Sequence, residues 1–250
     1  MENMSKKSES GNVLFLILIA VALFAALSYA VMSSTNTGGG DANDESNLVN
    51  SAAVTQYPAS IKTAIIRQSV SKGVTTPTAS SDIAAGTSGA SGFLFNKPPF
   101  AGIATADEYR LVFHPGGGGA SYVQAINGVL TSGATGDWLF NMDFEVVNIG
   151  STANGIDGNE IIAFLPDLTS SICSRINTEL GISSTPTLAS AVTIADNLEQ
   201  GGTISTANPA DNALGTTLNA TLSALDGKPY GCFRNGSAGP YTYYHVLLER

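Results

Sequence analysis

From Asn12 to Met32 no charged residue interrupts the chain, and Val13 to Met32 is almost continuously apolar. Twenty such residues make a helix about 30 Å long, enough to cross a bilayer. A secretory h-region is shorter, about 7 to 15 residues. A buried helix of a soluble domain keeps a polar face, which this run lacks. Ser28-Tyr29-Ala30 has the small-x-small form of a cleavage site, so removal of the run is the second reading. Lys6 and Lys7 precede the run, whereas Asp41, Asp44 and Glu45 follow it. The positive-inside bias therefore places the N-terminus in the cytoplasm and the C-terminal part outside. With no second run of this kind, a single pass is expected. The organisation is a leader over 1–11, a transmembrane helix over 12–32, a Gly-rich linker over 33–46 and a domain over 47–250.

Beyond the linker "TNTGGGDANDES", which reads as a flexible joint or a helix break, the pattern changes. Leu48, Ala52, Tyr57, Ile61 and Ile65 recur near helical spacing, with Ser46 or Asn47 as cap and Gly73 as stop. Pro58 is expected to kink this helix or divide it in two. Residues 75–92 are low in complexity and read as a loop. "EYRLVFH" alternates, with Tyr109, Leu111 and Phe113 on one face. "DWLFNMDFEVVNIG" alternates for longer, pointing Trp138, Phe140, Met142, Phe144 and Val146 inward and Asn141, Asp143 and Glu145 outward. "PDLTSSICSRINTELG" returns to helical period, with Leu168, Ile172, Cys173, Ile176 and Leu180 on one side and Gly181 as stop. "YTYYHVLLER" reads as a last strand, its Tyr241, Tyr243 and Tyr244 packing on the sheet. The order predicts an α+β domain with an antiparallel sheet and one or two packed helices.

Composition sharpens this picture at a few points. Eleven basic residues against twenty acidic give a net charge of −9, all of it after the apolar run. Nucleic acid needs clustered Lys and Arg, so it is not an expected partner. Cys173 and Cys232, placed behind a membrane-crossing segment, predict a disulfide. It would close a loop of about 60 residues, worth roughly 4 kcal/mol on chain entropy.

Catalytic signals are missing from the sequence, and an enzyme is not the expected class. The two histidines, His114 and His245, lie in strand patterns with no G-x-S-x-G elbow anywhere. "FHPGGGGASY" lacks the Lys and Ser or Thr that a phosphate-binding loop requires, and reads as a hairpin or wide loop. "NGIDGNE" gathers Asn154, Asp157, Asn159 and Glu160, oxygen donors that could hold Ca²⁺. An ordinary Asn/Gly/Asp turn accounts for the same residues.

A short polar leader with Lys6 and Lys7, ending in Gly11 before an uncharged helix, resembles the start of a type IV pilin-like or pseudopilin-like precursor. The resemblance covers residues 6–34. It implies cleavage between Gly11 and Asn12 by a dedicated peptidase at the cytoplasmic face. It further implies an inner-membrane helix over 13–32 that packs against like or related subunits. Some pseudopilins bind calcium in loops such as 154–160. Two departures stand out: Asn12 falls where the family usually has Phe or Met, and Leu16 where it has glutamate. A carboxylate there would need a partner in lipid. Its absence fits a minor or tip subunit better than a major one. The alternative is an uncleaved signal-anchor holding a periplasmic or extracellular binding module that does not polymerise.

Overall fold

The computed structural model describes residues 10–37, 42–84, 90–150, 159–204, 213–214 and 220–250. Two units separate, Met1–Ser46 and Asn47–Arg250. The first unit contains helix α1, Ser10–Thr37, which extends past the apolar run at both ends. From Phe15 to Met32 its side chains are exposed, apart from half-buried Ser28. The second unit is α+β: helices packed on an antiparallel sheet.

Helix α2, Ala42–Lys72, runs unbroken through Pro58, so the proline does not divide it. Pro58 lies on the packed face, within a buried stripe of Ser51, Val54, Pro58, Ile61, Ile65 and Gln68. Spacings of three and four keep that stripe on one side of the helix. The ring burial offsets the backbone bond that a proline cannot donate. The stripe is rotated from the expected one: Leu48 is exposed, and Ala52 and Tyr57 are half-buried. Gly73 closes the helix at φ +69°, its N–H donating to Ser69 O at 3.1 Å.

Four antiparallel strands form the main sheet in the order β1 (Leu139–Asn141), β3 (Ile161–Leu168), β6 (Tyr241–Leu248), β5 (Tyr230–Arg234). A second, parallel pair joins β2 (Glu145–Val146) to β4 (Ala213–Leu214). Both faces of the main sheet are buried, and alternation sorts its residues between two cores. Ile161, Ala163, Leu165, Tyr243 and Leu247 face a core that also takes in Ile61 and Ile65 of α2. Helix α3 (Ser170–Glu179) adds Ile172, Cys173 and Ile176 on the same side. Ile162, Phe164, Phe233, Tyr244 and Val246 face the other core, covered by side chains from loops and short turns such as Leu188, Leu222 and Leu225.

Side chains help to close both edges of this sheet, beside backbone bonds from residues 186–188 to Arg234 and from 197–198 to Phe140. Along β5, Asn177 of α3 accepts the Cys232 N–H at 3.0 Å and donates to the Cys232 carbonyl at 2.8 Å. The same strand residue is joined to α3 by the Cys173–Cys232 disulfide. Along β1, Asp196 Oδ1 accepts the Phe140 N–H at 3.0 Å, and Asn197 Oδ1 accepts the Met142 N–H at 3.1 Å. Asn141 donates to Ala195 O at 2.8 Å.

Three further sequence expectations are corrected. The stretch 138–146 carries two short strands, not one. Trp138, Phe140, Met142, Phe144 and Val146 are all buried as expected, but so is Asn141, whose Oδ1 accepts the Asp143 N–H at 2.6 Å and turns the chain. Leu168 belongs to β3, because the chain kinks at Asp167 (φ +61°) before α3 begins. "EYRLVFH" is no strand: Thr105–Arg110 forms a 3₁₀ helix, followed by a turn. In 3₁₀ geometry residues i and i+3 eclipse, which brings Arg110 Nη1 to 3.0 Å from Asp107 Oδ1.

Arg110 is fully buried and ties its own 3₁₀ helix to two other segments. Its Nε donates to Gly92 O at 3.0 Å, Nη1 donates to Asp107, and Nη2 donates to Asp82 O. Replacing it removes the guanidinium beside Asp107 and one donor each from the Gly92 and Asp82 carbonyls. Arg110→Ala is expected to lower unfolding stability by about 3–5 kcal/mol. Arg110→Lys should rescue little, because one ammonium cannot reproduce the fork. Urea denaturation of the three proteins, followed by circular dichroism, measures both effects.

Candidate functional site

The first candidate site is α1 itself. Its Phe15–Met32 window has a mean hydropathy of 2.6, long and apolar enough to cross a membrane. Exposed Phe15, Leu18, Leu23, Phe24 and Leu27 lie on every side of the helix. Such a surface is costly in water, at roughly 25 cal/mol per Å² of apolar area. Gly11 and Asn12 fall in its first turns. Among the described residues, no other helix passes the same test.

The proposed calcium residues divide. Asn154 and Asp157 lie outside the described residues, whereas Asn159 and Glu160 open into β3 and are buried. Asn159 donates through Nδ2 to Met142 O at 3.0 Å, and its Oδ1 has no hydrogen-bond partner. Glu160 Oε2 accepts the Val146 N–H at 2.9 Å, and Oε1 is likewise orphaned. Gly150, at φ +61°, leaves the room this carboxyl occupies. A Cβ there would stand 3.2 Å from Glu160 Oε1 and 2.5 Å from Arg250 O. No group of three or more His, Cys, Asp or Glu placed to hold a metal ion occurs among the described residues. Two orphaned oxygens are a start on a calcium shell, which needs six to eight.

Burial raises the Glu160 carboxyl to about 8, and the charges of Glu145 and Glu249 push it the same way. The burial was not legible in "NGIDGNE", where Glu160 reads as a turn residue.

Each histidine is engaged in a local contact. His114 Nδ1 accepts the Gly116 N–H at 3.1 Å, fastening the turn that follows. His245 Nδ1 lies 2.8 Å from Tyr243 Oη, and its ring stacks on Tyr230 with centroids 5.5 Å apart. Burial pushes His245 down to about 4, so it is neutral. Residues 243 and 245 share one strand face, and that period-2 spacing was the available signal for their contact. Tyr243 and Tyr244 are buried in opposite cores, as sheet packing requires. The cysteines form the disulfide. An apolar cavity of about 120 Å³ lies between α2 and residues 123–129, with Tyr57 and Trp138 in its wall.

The Glu160 carboxyl gives this domain a defined pH response. Its folded value of about 8 exceeds the ordinary 4.5, so the folded state holds a proton that the unfolded state releases between these limits. Stability from this group is complete below pH 4.5 and is lost as pH rises through 8, at about 1.4 kcal/mol per pH unit. Glu160→Gln should match the wild type near pH 5 and melt at higher temperature than wild type near pH 8. Calorimetric melting across that range tests it. Comparison with protein-family models, curated proteins and solved structures finds no match for this chain.

Proposed function

We propose that this chain is a membrane-anchored structural subunit, pilin-like or minor-pseudopilin-like, or an accessory protein of a bacterial envelope filament or secretion system. The observation that carries the reading is the all-round apolar helix over 15–32, placed directly behind a basic leader that ends at Gly11. Its helix would sit in the inner membrane and pack against like or related subunits, with the acidic domain periplasmic or extracellular. The Cys173–Cys232 disulfide supports that location, since such bonds persist in oxidising compartments. Leu16, in place of a carboxylate, removes one intersubunit ion pair and favours a minor subunit.

Mass spectrometry of the protein extracted from membranes tests this directly. An N-terminus at Asn12, methylated or not, is the expected result. A chain that retains Lys6 and Lys7 would instead favour a tethered module that does not polymerise. The orphaned oxygens of Asn159 and Glu160 give this second reading a calcium-dependent form. On that reading calcium raises the melting temperature and a chelator reverses the rise, whereas identical melting curves remove calcium from both readings.

A further inference from the structure

Lys97, Asp196 and Glu199 stand in an arrangement that exceeds an ion pair. Lys97 Nζ lies 2.6 Å from Asp196 Oδ2 and 3.9 Å from Glu199 Oε1. The other Asp196 oxygen, Oδ1, accepts the Phe140 N–H at 3.0 Å. Lys97 Nζ also lies over the Tyr122 ring, 5.6 Å from its centroid. Nearby, the Phe95 and Phe140 rings stack at 4.6 Å. Neighbours of both residues are held by hydrogen bonds. Phe95 N–H donates to Leu198 O at 2.9 Å, Gln200 N–H to Asn96 Oδ1 at 2.9 Å, and Asn197 N–H to Phe140 O at 3.1 Å.

We propose that Lys97 and Asp196 condense into an intramolecular amide, with Glu199 carrying the proton that the reaction must move. The step balances without any added reagent: an ammonium and a carboxylate become one amide and one water. A proton first crosses the short hydrogen bond from Nζ to Oδ2, leaving a neutral amine beside a neutral acid. The nitrogen lone pair then forms a bond to Cγ, and the charge that gathers on Oδ1 is met by the Phe140 N–H. That donor is already aimed at the oxygen, as stabilisation of a tetrahedral intermediate requires. Glu199 takes a second proton from nitrogen and delivers it to Oδ2, which departs as water while Oδ1 regains its double bond.

Burial favours the neutral acid form of Asp196, raising its carboxyl above the ordinary range, and it raises Glu199 as well. Amide formation in water is opposed by hydrolysis. Fixed geometry counters this by lowering the barrier to attack, since effective molarities reach on the order of 10⁵ M or more. The resulting bond would join positions 99 residues apart and fix covalently the segment that is hydrogen-bonded to the edge of β1.

The intact full-length protein, reduced and unfolded before mass measurement, provides the test. We expect a mass lower by one water and, after proteolysis, a branched peptide joining the Lys97 and Asp196 segments. Lys97→Arg should show the full mass while retaining the fold by circular dichroism. Glu199→Gln should condense at least tenfold more slowly. A wild-type chain that keeps its full mass after prolonged incubation overturns the proposal. So does a water loss that maps to the Asp226-Gly227 pair as a succinimide. Equal rates for Glu199→Gln and wild type remove the role given to Glu199. N-terminal processing removes whole residues and methylation adds mass at the N-terminal peptide, so that outcome is read separately from the branched peptide.

Discussion

A four-stranded sheet leaves a row of peptide groups along each outer strand, and in this domain those rows are met by side chains together with backbone groups of residues 186–188 and 197–198. Asn177 serves as a substitute strand beside Cys232, while Asp196 and Asn197 do the same beside Phe140 and Met142. Each substitution needs a rigid support, because a flexible amide would lose its geometry. Helix α3 holds Asn177, with the disulfide one turn away from it in sequence. The 195–199 segment holds the other edge through its own bonds to Phe140 and Phe95. The edge chemistry therefore dictates where α3 and the 195–199 segment must lie, and these in turn fix the two cores.

The two cores differ in how they are built. One face is covered by the continuous stripe of α2 and by α3. The other is covered by pieces with no regular period, from Phe144 and Ile149 to Leu188 and Leu225. Unmet backbone groups are costly when buried, and the buried Arg110 fork is one answer to that cost on the first face. A guanidinium can bind several carbonyls at once, so one side chain reinforces segments that are otherwise joined by isolated backbone bonds such as Gly92 N–H to Asp82 O at 3.3 Å.

This contrast explains what the sequence disclosed. Regular period is visible in a string of residues, and the inward set from Trp138 to Val146 was readable from alternation alone. The apolar helix and the disulfide were likewise legible, one from twenty uncharged positions and one from two cysteines behind them. The central strand β3 was not, because "IIAFL" is buried on both faces and shows no alternation. Arg110 offered no signal either: in "EYRLVFH" a charged residue at an alternating position reads as facing solvent. Glu160 was legible as a carboxyl beside a turn, but its loss of solvent comes from Val146, Gly150 and Arg250, which lie elsewhere in the chain. Tertiary burial, which no local pattern encodes, separates a wet ligand from a protonated acid.

Trp138 is the only tryptophan in the chain. It sits between Tyr57 of α2, with ring centroids 5.2 Å apart, and Tyr243 of β6, at 6.1 Å. Its indole therefore touches the seam where the long helix meets the sheet. Ultraviolet emission from this single native fluorophore would redden if the seam opened and water entered, so the molecule carries an optical gauge of its own helix docking without any attached dye.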